Sequence, residues 1–159
     1  MAERTAVFGG GCFWGVEEAF RTARGVIKTE AGYMGGTLMN PRYEEVCSGT
    51  TGHAEVVKVW YDPDIIGYGE LLDIFWSAHD PTQRDRQGPD VGTNYRSVIF
   101  YADDEQEMLA RKFMEHLDKS GKFGGRPMVT GIVPAQEFYR AEEYHQQYFH
   151  KHGGGCHIC

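Results

Sequence analysis

A short β-type run, a glycine triplet and a helical stripe follow one another in "TAVFGGGCFWGVEEAF" (residues 5–20), and a second β-type run, "GVIKTEAGY", returns at 25–33. Phe13, Val16, Glu17 and Phe20 stand at helical spacing, so this order predicts a β-α-β unit. The pattern then repeats. In "AEVVKVWY" (54–61), Val57 and Val59 alternate with Val56, Lys58 and Trp60, and "YGELLDIFWSAH" (68–79) places Leu71, Leu72, Phe75 and Trp76 on one helical stripe. "RSVIFY" (96–101) closes the second unit. Two such units in tandem predict an α+β fold, a ferredoxin-like two-layer sandwich with helices on one face. Asp103 and Gln106 have capping-box spacing for a further helix ending near Gly121, "MVTGIV" (128–133) reads as a strand, and "AEEYHQQYF" (141–149) as a last helix. No linker interrupts the pattern, which gives a single domain over 1–150 and a flexible tail over 151–159.

Charge and composition exclude several classes of function. A formal net charge of −7 with no basic run is unsuited to following a phosphate backbone, so no nucleic acid partner is expected. No stretch has signal-peptide character or the length to span a bilayer, so we expect no membrane partner and a cytoplasmic, monomeric protein. Four cysteines, Cys12, Cys47, Cys156 and Cys159, are too few and too unevenly placed for a disulfide scaffold, and point to redox chemistry or metal.

Two long connections, 32–53 and 79–95, are rich in glycine and yet hold Tyr33, Tyr43 and Tyr95. Long loops in compact domains are usually functional or disordered, and the tyrosines argue for walls of a site. At the first "GGGC", a strand running through glycines into a helix sets Cys12 where backbone N–H groups and the positive end of the helix dipole converge, which favours a thiolate. Cys12 reads equally well, taken alone, as a small buried hydrophobe behind a tight turn. Phe13 and Trp14 directly after it offer an apolar, polarisable wall suited to a methyl–sulfur group, whereas Trp76 reads as core.

Taken together, "GGCFWGVEEAF", "GYMGG", "YEEVCSGTTGHAEVVKVWYDP", "FWSAHDPT" and "RQGPDVGTNYRSVIF" resemble the A-type peptide-methionine sulfoxide reductases over about Phe8 to Pro134. The resemblance implies reduction of the S epimer of methionine sulfoxide, free or in peptides, on an α+β fold with no bound cofactor and no metal, and with thioredoxin as reductant. It places the catalytic cysteine on Cys12 and the methyl-binding aromatics on Phe13 and Trp14. It further assigns catalytic roles to Glu55, Tyr43 and Tyr95, and a substrate-binding role to Asp90. The chemistry accounts for these types: a sulfoxide is a poor electrophile until its oxygen is protonated, so a thiolate attacking sulfur needs an acid and hydrogen-bond donors on that oxygen. Glu55 is the expected acid, held protonated by desolvation, and Tyr43 and Tyr95 are the expected donors. His53 is given a loop-packing role.

For recycling, the second "GGGC" reads as a tether that brings Cys156 to an oxidised Cys12, with Cys159 then moving the disulfide outward and Cys47 as the alternative resolving thiol. A zinc module built from His150, His152, Cys156 and Cys159 and a peptide-binding domain without turnover are the competing readings.

Overall fold

The computed structural model describes residues 3–153, so the expectations for Cys156 and Cys159 lie outside the described residues. The elements run β1 (Arg4–Gly9), α1 (Phe13–Arg21), β2 (Val26–Met34), α2 (Tyr43–Cys47), β3 (Ala54–Tyr61), α3 (Tyr68–Ser77), β4 (Arg86–Gln87), β5 (Asp90–Val91), β6 (Val98–Tyr101), α4 (Asp104–Lys119), β7 (Gly131–Pro134), β8 (Tyr139–Arg140) and α5 (Tyr148–His152). The main sheet has the order β7-β6-β1-β3-β2-β8. Its four inner strands, β6-β1-β3-β2, pair antiparallel throughout, which is the order two split β-α-β units produce. The ferredoxin-like α+β plan expected from the pattern is the one observed, extended by β7 parallel to β6 and by β8 at the other edge.

Alternation along the strands sends two sets of side chains to two faces. Phe8, Val57, Val59 and Ile99 meet Phe20, Leu71, Leu72 and Phe75 of the helices in the main core. Phe8 stacks on Phe20 at 5.0 Å and on Phe75 at 5.1 Å between ring centroids. Each such side chain removed from water contributes about 1.5–3 kcal/mol. On the opposite face Val7, Val56, Val98 and Phe100 form a smaller cluster closed by Phe138. Glu55 shares the helix-covered face with Val57, because residues two apart in a strand point the same way.

Four local expectations are revised. The long connection after β2 contains a helical turn, α2, and the one after α3 folds its middle into the β4–β5 hairpin. The strand at 128–133 begins only at Gly131, since Val129 N–H is drawn aside to the Pro81 carbonyl at 2.8 Å. The last helix is broken: a 3-10 turn over Glu143–His145 and α5 are separated by Gln147, whose φ of 52° is left-handed. A buried carboxylate holds that break, with Gln147 N–H donating to Glu17 Oε1 at 2.7 Å. Asp103 does cap α4, accepting from Gln106 N–H at 2.9 Å, but the Gln106 side chain turns to Ala102 N and Thr5 O instead of closing the box.

Candidate active site

β1 delivers the chain to Gly9, two more glycines make the turn, and Cys12 is the N-cap of α1 with its side chain 92 % removed from water, at 8 % exposure. The glycines are required on two counts. Gly11 has φ +88°, and a Cβ on it would lie 2.8 Å from Gln87 Cγ, while one on Gly10 would lie 2.9 Å from His79 Cγ. Cys12 therefore sits at the end of α1 where unsatisfied N–H groups and the helix dipole favour negative charge. The first of those N–H groups, on Phe13, donates to Glu55 Oε1 at 3.2 Å.

Glu55 is 1 % exposed and stands opposite Tyr33 in the β2–β3 register. Tyr43 opens α2 and is half-buried beside it. Burial first, then the charges of Glu55, Tyr95 and Cys12, push the Tyr43 hydroxyl well above the usual tyrosine range, so those three groups lie near enough to act on it. The phenol therefore remains a hydrogen-bond donor at any physiological pH. Tyr95 is buried at the end of a 3-10 turn, and Asp90, 4 % exposed, pairs in the hairpin register with Gln87, the residue under Gly11. His53 pins the loop that leads to α2: its Nδ1 accepts from Gly36 N–H at 3.0 Å and its Nε2–H donates to Leu38 O at 2.7 Å. That is a loop-packing role. Cys47 lies at the other end of α2 from Tyr43, half-buried.

The aromatic wall is completed by a segment whose part sequence reasoning missed. Phe13 is buried against Tyr33, Tyr43 and His145, with ring centroids 5.8, 6.3 and 5.1 Å away. Trp14 stacks on Tyr148 at 3.8 Å and 9°, and its Nε1–H donates to His145 Nδ1 at 2.9 Å. His145 is fully buried, which pulls its pKa down to about 4, with Glu142 opposing the shift. It is therefore neutral near pH 7, and the acceptor at Nδ1 fixes its proton on Nε2. Glu142 binds Tyr33 OH through Oε1 and Tyr43 N–H through Oε2, both at 2.9 Å. Burial raises the Glu142 pKa, but these hydrogen bonds outweigh it and leave the group below its usual value. The signal in the sequence was the crowding of Glu142, Tyr144, His145 and Tyr148 into one short stretch, masked by its resemblance to a plain amphipathic helix. Trp76 is core, as expected, with its Nε1–H donating to Thr130 Oγ1 at 3.1 Å.

The arrangement is a thiol at a helix end, a buried carboxyl, two tyrosines nearby, and an adjoining cluster of aromatic rings. Such a site can attack a soft electrophile carrying a small apolar group and a basic oxygen. No helix among the described residues is long and apolar enough to cross a membrane.

A family model described as peptide methionine sulfoxide reductase matches residues 4–159. The chain is 65 % identical over 150 residues to a peptide methionine sulfoxide reductase MsrA of Methanoculleus marisnigri, covering 94 % of this chain and 91 % of the relative. Among solved structures it is similar to methionine sulfoxide reductase A of Corynebacterium diphtheriae, with a TM-score of 0.91 and 42 % identity, covering 97 % of this chain and 77 % of that one. It is also similar to Mxr1 of Saccharomyces cerevisiae in complex with Trx2, with a TM-score of 0.65 and 27 % identity over 97 % of this chain and 86 % of that one.

Proposed function

The chain belongs to the peptide methionine sulfoxide reductase family, of the A type, and from that premise we propose how its residues divide the work. The enzyme reduces methionine sulfoxide to methionine by thiol chemistry and takes its electrons from thioredoxin; a yeast structural neighbour is seen in complex with Trx2. We infer that the substrate is the S epimer, free or in proteins, and that the enzyme works in the cytoplasm, where thioredoxin-type reductants keep thiols reduced.

Cys12 is the nucleophile in this reading. Its sulfur attacks the sulfoxide sulfur, the oxygen passes to Cys12, and methionine leaves; the sulfoxide sulfur gains two electrons and Cys12 loses two, ending as a sulfenic acid. Glu55 supplies the proton that the oxygen needs. Its Oε1 is anchored by Phe13 N–H at 3.2 Å, so we place the transferable proton on Oε2. Tyr43 and Tyr95 donate hydrogen bonds to the same oxygen, Phe13 and Trp14 hold the methyl group, and Asp90 orients the substrate. The observation that supports this division best is the Phe13 N–H to Glu55 Oε1 hydrogen bond at 3.2 Å, which holds a buried carboxyl against the first residue after Cys12.

Recycling falls to the remaining cysteines. Cys156 condenses with the sulfenic acid, releasing water and leaving a disulfide with Cys12; Cys159 then displaces Cys12 from Cys156, and thioredoxin reduces the outer disulfide. Cys47 is the alternative resolving thiol, a reading supported by its being disulfide-bonded while Cys12 remains a thiol. We treat residues 1–150 as the catalytic domain and 151–159 as the recycling tail.

A single-turnover experiment without reductant tests the assignment. Cys12→Ser should bind methionine sulfoxide and release no methionine, while wild type should release one equivalent and show a dimedone-trapped sulfenic acid at Cys12 when Cys47, Cys156 and Cys159 are replaced together. Methionine release at the wild-type rate by Cys12→Ser would overturn it.

A further inference from the structure

The two glycines ahead of Cys12 rest on side chains of the connection that follows α3. A Cβ on Gly10 would meet three atoms of the His79 ring at 2.9 to 3.0 Å, so the imidazole lies flat against the Gly10 backbone. A Cβ on Gly11 would meet Gln87 Cγ and Cβ at 2.8 and 2.9 Å. Both supports are locked. The Gln87 amide brackets the Asp80 backbone, its Oε1 accepting from Asp80 N–H at 2.7 Å and its Nε2 donating to Asp80 O at 2.9 Å.

His79 is the end of a longer chain of hydrogen bonds whose direction is fixed by chemistry. Its Nδ1 is 2.8 Å from Phe75 O, a carbonyl in the last turn of α3 that can only accept, so Nδ1 carries the proton. Burial, opposed by that carbonyl and by Asp80, draws the His79 pKa down to about 4, and the ring is neutral near pH 7. Nε2 then accepts from the Ser97 hydroxyl at 2.7 Å. Ser97 Oγ in turn accepts from Thr130 Oγ1–H at 2.8 Å, and Thr130 Oγ1 accepts from Trp76 Nε1–H at 3.1 Å. Trp76 is a pure donor and Phe75 O a pure acceptor, so every proton between them has one consistent place. The chain ties α3 to Ser97 at the entry to β6 and to Thr130 at the entry to β7, with the imidazole as the link that touches the nucleophile turn.

We propose that His79 is a positioning residue of the reductase reaction: its ring, held edge-on by Phe75 O and Ser97, is the platform that sets the height of Gly10 and with it the position of Cys12 relative to Glu55. Gln87 does the same for Gly11 and, through its register with Asp90, joins the nucleophile turn to the loop that carries Asp90 and Tyr95. The inference rests on Cys12 being the nucleophile.

Misplacement of a reacting atom by about 1 Å costs on the order of 100-fold in rate, so partial loosening should be readable in the chemical step. The variants are Ser97→Ala, which cuts the chain without touching the turn, His79→Phe, which keeps a ring and loses both bonds, and His79→Gln, whose amide can still reach Ser97. They are compared in single-turnover methionine release at saturating methionine sulfoxide, in KM, in the pH midpoint of alkylation at Cys12 read by mass, and in Tm. We expect Ser97→Ala to slow release roughly 10-fold with KM within about 2-fold of wild type, a displaced alkylation midpoint, and a smaller rate loss for His79→Gln than for His79→Phe. A fall in Tm with wild-type release rate and alkylation midpoint in Ser97→Ala would make His79 a fold anchor only and overturn the proposal, also when His79→Phe fails to fold. Cys12→Ser in the same assay separates the two ideas: activity there refutes the nucleophile assignment, whereas an inactive Cys12→Ser beside a normal Ser97→Ala refutes the platform alone.

Discussion

The two halves of the site are held by different physics. The half with the proposed reacting groups hangs on the two central strands: Cys12 follows β1, Glu55 is in β3, and a directed hydrogen bond from Phe13 N–H at 3.2 Å links the two. The half that would wall the proposed methyl pocket comes from the 142–149 stretch, outside the sheet, and reaches Phe13 and Trp14 mainly through rings. Its polar ties to the body include Trp14 Nε1–H to His145, Glu142 to Tyr33 and Tyr43, the Gln146 amide to both backbone groups of Ala31, and Gln147 N–H to Glu17. Hydrogen bonds fix an atom to within tenths of an ångström, whereas ring contacts fix a volume. Damage to the first half should therefore appear in the chemical step, and damage to the second in substrate affinity.

The largest expected effect sharpens that division. Glu55→Gln keeps an oxygen for Phe13 N–H but has no acidic proton, so the turn is preserved and the acid is lost. Single-turnover methionine release should fall about 100- to 10,000-fold, the usual range for a general acid, with KM changed little. Rapid quench with methionine sulfoxide measures both. A normal rate and pH profile in Glu55→Gln would move the acid to another group, with Asp90 the first to test.

The same division explains what could be read from the chain before its structure. The central strands and their helices were legible because burial imposes period 2 on Val57 and Val59 and helical spacing on Leu71, Leu72 and Phe75. Local order, glycines then cysteine at a helix start, marked Cys12 with Phe13 and Trp14 as candidates, although Cys12 alone read equally well as a buried hydrophobe, and Glu55 was singled out only by the family resemblance. The 142–149 stretch was not, since its break is made by Glu17, distant in sequence, accepting from Gln147 N–H. No local pattern encodes a left-handed residue whose cause lies that far away. The His79 platform was hidden for a similar reason: its links to Ser97 and Thr130 join three separate segments.

The next effect probes the pocket half through acid titration. His145 is held neutral down to about pH 4, while in the unfolded chain it binds a proton near pH 6.5. Above about pH 6.5 neither state is protonated there and the full stability is present. As pH falls from about 6.5 to 4 the unfolded state gains a proton that the folded state refuses, so stability falls, by at most about 3 kcal/mol from this group, and below about 4 the dependence from it ends. His79, also shifted to about 4, adds a second contribution of the same sign in the same window. His145→Gln retains an acceptor for Trp14 Nε1–H and does not titrate, so the maximum slope of unfolding free energy against pH should drop by about 1.4 kcal/mol per pH unit. Urea unfolding at intervals between pH 4 and 7 reads it. An unchanged slope would mean that His145 protonates in the folded protein, and that the pocket wall is looser than its burial implies.

The smallest effect is the most discriminating, because it acts on binding without touching a reacting group. Tyr148 lies over Trp14 at 3.8 Å and 9°, and Phe149 meets the same indole at 6.4 Å and 55°. The Tyr148 ring holds the indole from one side while Trp14 Nε1–H, anchored at His145, fixes its rotation. Removing the stack in Tyr148→Ala releases the indole about that anchor but leaves Cys12, Glu55 and the Phe13 N–H link where they are. An aromatic pair contributes about 0.5–1.5 kcal/mol beyond the area it buries, so KM for methionine sulfoxide should rise by roughly 2- to 12-fold while the single-turnover rate at saturation stays within about 2-fold of wild type. The ring of Tyr148→Phe should restore KM. If instead the rate at saturation falls and KM does not move, the methyl pocket and the reacting groups act as one rigid unit, and the division between a hydrogen-bonded half that governs chemistry and a ring-packed half that governs affinity fails.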